Sequence, residues 1–231
     1  MSEALSWSGG TIPVRRSKRK TVALHVRDGA PELRAPWHVS DTDLKRFLSD
    51  RQDWLNRALR SQAEKREQKP DFSQQAHCPL MDERLTLQLS RGARSQWRRD
   101  QDRLYLVAPL LDKPHVHHVL ADFYKTQARF YLTEKTLQRV HTEGWENHLT
   151  DIRLRRTKTK WGHCTATGRI QYNWQIMMAP ERIIDYLVAH ETAHLLHPHH
   201  GASFWNEVTR LHPHWQDDRR WLHDNGHRLW L

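Results

Sequence analysis

Cysteine is almost missing from this chain: Cys78 and Cys164 are the only two among 231 residues. Two thiols cannot make the disulfide framework that staples small secreted domains, so a reducing interior suits the chain. Long apolar runs are missing as well. The longest are pieces such as Ile176 to Ala179, far below the ~18 residues a membrane span needs. Met1 to Gly10 lacks the basic-then-apolar layout of a signal segment. No internal repeat, no low-complexity segment and no Gly-rich phosphate loop of the P-loop type is visible. Acidic residues are outnumbered, 27 against 37 Lys plus Arg, for a formal net charge of +10. Eleven tryptophans and a 37% hydrophobic fraction nevertheless exclude a disordered chain. The expectation is a soluble, basic, cytoplasmic protein with no membrane association.

The excess of positive charge suits nucleic acid or phosphorylated small molecules, and suits a plain solvated surface equally well. Two basic ladders exceed what solubility asks: Arg15 to Lys20, and Arg153, Arg155, Arg156, Lys158 and Lys160. If the second ladder faces a catalytic cleft, it favours an anionic substrate. Nucleic acid is therefore a candidate partner through the basic surface.

Strand and turn signals fill the first forty residues, with Val22, Leu24 and Val26 alternating before an Asp28-Gly29 turn. Ser40 is placed to cap a helix carrying Leu44, Phe47, Leu48, Trp54, Leu55, Ala58 and Leu59, which runs to Pro70. After a polar connector, Leu85, Leu87 and Leu89 alternate as one strand and Leu104, Leu106 and Ala108 as another, with an Arg-rich turn between. A long helix follows Pro114, with Val116, Val119, Leu120, Phe123, Phe130, Leu137 and Val140 along its face, and Gly144 ends it. Ile152 and Leu154, then Ile170, Tyr172, Trp174 and Ile176, predict further strands. The order predicts an α+β chain organised as residues 1–70, 71–150 and 151–231, forming one compact unit.

The chemistry concentrates near the end. Pro180 and Glu181 open a helix with an apolar face of Ile183, Ile184, Leu187, Val188 and Leu195, and within it stands His190-Glu191-Thr192-Ala193-His194. Four residues advance a helix about 40° beyond one turn, so both imidazoles project from one side and can grip one ion. Glu191 lies about 100° away from His190, where a general base belongs. Catalytic zinc takes three protein ligands, and the third must come from His197, His199 or His200. Pro198 ends the helix and lets the chain fold back. The ten-residue spacing of His200 from His190 allows a turn and return, whereas His197 lies too close to the helix axis to close a tetrahedral site.

Trp161-Gly162-His163-Cys164, Asn173-Trp174, Ala179-Pro180, the His-Glu-Thr-Ala-His run, His200 and Phe204-Trp205 together resemble the YgjP-like family of predicted metal-dependent hydrolases, related to SprT-like zinc metallopeptidases. Val14 to Arg19 is similar to that family's N-terminal signature and Trp221 to Gly226 to its C-terminal one, so the likeness spans residues 12–226. The residue pattern predicts a strand-rich N-terminal region with two long helices, and the resemblance implies a C-terminal zincin-like metallopeptidase core. It implies Zn²⁺ on His190, His194 and His200, with Glu191 catalytic. The chain departs from the family at His163, where a serine is usual, and at Thr192, where an aliphatic residue is usual.

The lead expectation is thus a zinc-dependent metallopeptidase acting on a peptide or protein substrate. Glu191 would take a proton from the attacking water and pass it to the leaving amine. His163, His197 and His199 are candidates to stabilise the oxyanion, Asn173 either contacts substrate or satisfies a strand end, and Arg153 and Arg155 are candidate contacts to an anionic substrate. One alternative is hydrolysis of the phosphoanhydride of a nucleoside triphosphate. A second is a nucleic-acid-binding module with a structural metal, which four protein ligands would close. Cys164 reads as a small buried side chain before it reads as a thiolate ligand.

Overall fold

Alternation of apolar and polar residues lays down the first sheet. The computed structural model describes residues 3–27, 29–67, 72, 73, 75–157 and 159–231, and the chain divides into two units, residues 1–69 and 70–231. In the first unit β1 (Glu3–Trp7) and β2 (Gly10–Ser17) form an antiparallel hairpin. Strand β4 (Ala30–Pro36) then pairs parallel with β2 and antiparallel with β3 (Ala23–Arg27). Leu5, Ile12, Val14, Leu33 and Ala35 bury one face of this sheet against Leu44 and Leu48 of α1 (Asp41–Asp50) and Leu55 of α2 (Gln52–Glu67). Ser40 caps α1 as expected, its hydroxyl accepting from the Asp43 N–H at 3.2 Å.

The single long helix expected from Ser40 to Pro70 is instead two. Arg51 leaves helical geometry (φ −114°, ψ 11°) and its N–H turns back to the Leu48 and Ser49 carbonyls before the chain restarts at Gln52. Trp54, expected on the apolar face, is 43% exposed. Asp28, Lys158 and Pro70, which carried expectations above, lie outside the described residues.

The second unit opens with a sheet of the same topology. Strands β5 (His77–Leu80), β6 (Glu83–Arg91), β7 (Gln96–Asp100) and β8 (Arg103–Ala108) stand in the order β5-β6-β8-β7, as the first four stand in the order β1-β2-β4-β3. Each has one parallel pair at its centre and an antiparallel strand on either side. The segment read as an Arg-rich turn contains β7, which is why β6 and β8 run parallel. The repeat is hidden in the sequence except for one trace, Leu33-Arg34-Ala35-Pro36 against Leu106-Val107-Ala108-Pro109, with Leu and Ala buried in both copies.

Asp112 caps α3 (Lys113–Glu143), accepting from the His115 N–H at 3.1 Å, and Gly144 closes it in the left-handed region at φ 71°. Phe130 and Leu137, expected on the packed face, are 71% and 51% exposed. The buried stripe that continues to the end of the helix is Leu120, Tyr124, Ala128, Leu132, Thr136 and Val140, a four-residue row that turns about 40° per step. It turns because α3 meets strands β7 and β8 first, then the turn at Trp174–Met178 and helix α4.

The third sheet holds β9 (Asp151–Arg155), β10 (Gly162–Cys164) and β11 (Arg169–Asn173) in the order β10-β11-β9. Strand β10 is an edge. The strand expected to reach Ile176 stops at Asn173, and Trp174–Met178 is a buried 3₁₀ turn. Helices α4 (Glu181–Ala193), α5 (Ala202–Leu211) and α6 (Trp215–Asn225) complete the unit, with α4 packed between α3, α6 and the β10 edge. One core runs from Phe72 to Leu229, so residues 71–150 and 151–231 share it. Among the described residues no helix is long and apolar enough to cross a membrane.

Candidate metal centre and its cleft

Helix α4 buries Ile183, Ile184, Leu187 and Val188, and this fixes its rotation so that His190 and His194 look out of the core. The helix ends at His194, and the Pro198 loop returns His200 to the same point. His200 Nε2 lies 3.2 Å from His190 Nε2 and 3.1 Å from His194 Nε2. Phe204, fully buried on α5, forms the floor under all three rings, with centroid separations of 5.0 Å to His190, 4.3 Å to His194 and 4.8 Å to His200. Trp205 stacks on His200 at 5.5 Å and on Trp215 at 4.2 Å.

The donor set suits zinc. Bonds of about 2.0–2.1 Å in a tetrahedral arrangement put ligand nitrogens roughly 3.3 Å apart, close to the separations here. The His194 Nδ1–H donates to the His197 carbonyl at 2.9 Å, which leaves the Nε2 lone pair facing inward. Burial first, then the neighbouring imidazoles and the Arg219 charge, push His190 down to about 3, and burial also lowers His194 and His200. Burial disfavours the charged form of all three rings, and three Nε2 atoms converging on one point suit a cation. Among the described residues no other His, Cys, Asp or Glu joins the three.

Glu191 is 3% exposed and its Oε2 has no hydrogen-bond partner. Burial raises its carboxyl to about 8, against the pull of the Lys160 charge and a hydrogen bond from the Cys164 backbone N–H. Edge strand β10 therefore touches the carboxylate directly. A Cβ on Gly162 would fall on that carboxylate, within 2.6 Å of the Glu191 Cγ. Glycine is required there by close approach.

A model of the YgjP-like metallopeptidase domain matches residues 20–225. The chain belongs to the YgjP-like family. Among solved structures, the crystal structure of the metallopeptidase zymogen of Pyrococcus abyssi abylysin is similar at 21% identity, over 40% of this chain and 93% of that one, with a TM-score of 0.36. No curated protein matches the chain. Membership of the family gives this YgjP-like chain a metallopeptidase domain and the class of metal-dependent hydrolase.

The cleft of the YgjP-like domain, 390 Å³ in volume, lies between β10 and α4. His163 lines it, as do Trp161, Lys160 and Tyr186. Among the three histidines weighed for the oxyanion, His197 contributes its carbonyl to His194 and His199 is exposed, and neither lines this cleft. Asn173 is consumed by structure: its Nδ2 donates to the Thr157 carbonyl at 3.1 Å and its Oδ1 accepts from the Gln175 N–H at 3.2 Å. Arg153 and Arg155 stay outside the cleft because β11 stands between their strand and β10. Arg153 is occupied by Asp151 at 2.6 Å, and Arg156 donates to the Leu231 carbonyl. Of the described ladder residues only Lys160 reaches the cleft.

Burial lifts the Cys164 thiol to about 11, so it is no thiolate. The Thr192 hydroxyl is spent on the Val188 carbonyl at 2.8 Å. Sequence reasoning missed Tyr186, whose hydroxyl stands 3.5 Å from His190 Nδ1, although its place four residues before His190 was the available signal. It also missed Arg219, which acts on His190, His200 and Tyr186 from α6.

Proposed function

We propose that the chain is a zinc-dependent metallopeptidase with a zincin-like site, in which His190, His194 and His200 hold the ion and Glu191 is the general base. The observation that carries this reading is the pairing of three convergent Nε2 atoms with a buried carboxylate whose Oε2 has no partner. Zinc held by these histidines would acidify a water toward pKa ~7 and polarise the scissile carbonyl. Glu191 does the proton work. Its Oε2, which has no hydrogen-bond partner in the fold, accepts the proton of the attacking water and returns it to the leaving amine. Gly162 and the Cys164 N–H keep that carboxylate against the edge strand. The His197 carbonyl and Tyr186 hydroxyl orient two of the imidazoles. His163, exposed on β10, is the donor available to a developing oxyanion.

One observation favours a second reading, phosphoanhydride hydrolysis on a nucleoside triphosphate. Lys160 lines the cleft wall and the Arg219 charge acts on His190 and His200 from α6, and two such cations suit an anionic substrate. The structural-metal reading needs a fourth protein ligand, and three histidines with no fourth among the described residues weigh against it.

The test is product release from a mixed panel of peptides and nucleoside triphosphates by zinc-loaded protein and by Glu191→Gln. Peptide turnover lost in the variant supports the peptidase. Triphosphate turnover lost in the variant replaces it with the second reading, and turnover of neither that depends on Glu191 refutes both.

A further inference from the structure

The sheet of the first unit has one face covered and one bare. Helices α1 and α2 and the buried cluster around Ile12 and Leu33 close the inner face. By strand alternation the outer face carries Pro13, Arg15 and Ser17 from β2, Glu32 and Arg34 from β4, and Ala23, His25 and Arg27 from β3. Arg15 stands directly beside Arg34 in the parallel pair, where strands are about 4.8 Å apart. Like charges so placed repel. Glu32 answers only one of them: it is bonded to Arg34, with Arg15 and Arg27 further off.

The end of the same sheet adds more positive charge. Past the paired residues Ser17 and Pro36, the β2–β3 connection brings Lys18, Arg19 and Lys20, and the β4–α1 connection brings Trp37. Lys18 and Lys20 are exposed, and the Arg19 Nε is shielded with no hydrogen-bond partner. Trp37 is 66% exposed although its loop is tied down. Arg16 donates to the Val39 carbonyl at 2.5 Å and to Asp41 at 2.6 Å. Ordering the loop backbone while leaving the indole in water gives no stability to the fold, so the ring is available for something else.

We propose that this outer face and its corner form a docking surface for single-stranded nucleic acid. The phosphates would lie along Arg15, Lys18, Lys20 and Arg27, and one base would stack on Trp37. The chemistry favours this occupant over others. The face carries no large apolar side chain that would drive a protein interface or sink into lipid, and a single pinned aromatic beside a line of cations is the arrangement that holds a base and its backbone.

The test uses the full-length chain and fluorescence anisotropy with a labelled 20-nucleotide oligo(dT) between 50 and 200 mM salt. With four phosphate contacts the log–log salt slope is about −2.8, an affinity loss of roughly 50-fold across that range. The variant R15S/K18S/K20S/R27S should abolish most of that slope, and R15K/K18R/K20R/R27K should restore it. Trp37→Ala should weaken binding roughly tenfold at every salt concentration and leave the slope unchanged. Melting temperatures equal to wild type confirm that each variant folds. The proposal is overturned if oligo(dT) does not bind at 50 mM salt, or if the four-serine variant keeps the full slope. It is equally overturned if Trp37→Ala has no effect, or if vesicles with 20% phosphatidylserine bind through these residues while oligo(dT) does not.

Discussion

Replacing Glu191 by Gln should make the metal-free protein more stable, by an amount that grows with pH. Glu191 is buried with a pKa of about 8, against 4.5 for an exposed glutamate. The folded state therefore holds a proton that the unfolded chain releases, and stability falls as pH rises through that window. At 1.36 kcal/mol per pH unit, the carboxyl costs about 1 kcal/mol at pH 5, about 3 kcal/mol at pH 7 and about 4 kcal/mol at pH 8. His190 has the opposite sign. Its pKa drops from 6.5 to about 3, so the folded state lacks a proton that the unfolded chain takes up, and stability falls as pH drops below 6.5. The two effects oppose each other between pH 4.5 and 6.5, and Glu191 acts alone above that. Gln has the same shape, keeps a carbonyl for the Cys164 N–H and carries no charge. Urea denaturation of chelator-treated wild type and Glu191→Gln at pH 5, 6.5 and 8 checks this. His190 is common to both proteins, so the expected gap follows Glu191 alone: about 1 kcal/mol at pH 5, about 3 kcal/mol at pH 6.5 and about 4 kcal/mol at pH 8. A constant gap, or a variant less stable than wild type at pH 8, would refute the burial argument.

Two further outcomes follow from the contacts around the site. Gly162→Ala puts a methyl group on the Glu191 carboxylate; zinc stoichiometry should stay at one while turnover falls at least a hundredfold, and loss of zinc instead would show that the glycine serves the fold. Phe204→Ala removes the floor under the three imidazoles, and zinc affinity measured by chelator competition should weaken roughly 10–100-fold, with unchanged affinity counting against a positioning role.

What the sequence disclosed about this site tracks how local the geometry is. His190 and His194 share a helix face by periodicity alone, and His200 arrives after five intervening residues whose proline leaves little choice, so the convergence of the three was legible. The same periodicity failed on α3, where Phe130 and Leu137 repeat Val116 and Phe123 at seven residues yet face water. Over 31 residues the packing partner changes from sheet to helix, and no window of sequence carries that change. The break at Arg51 is similar, since Arg is a good helix former and the cause lies in the geometry of the turn.

Strand order is the least local property, and the largest corrections fall there. Reading Arg153 to Lys160 as one ladder assumes that the chain runs straight from β9 into β10, whereas β11 inserts between them and carries the arginines away from the cleft. The insertion also makes β10 an edge. Only an edge strand has main-chain groups free to meet a helix, and that is why the Cys164 N–H reaches Glu191 and why the residue two before it has no side chain. Trp161-Gly162-His163-Cys164 was recognisable as a signature from the sequence, but its physical content is a contact with a carboxylate 29 residues further on. A glycine that admits a buried carboxylate and one that merely turns a loop look the same until the partner strand is known.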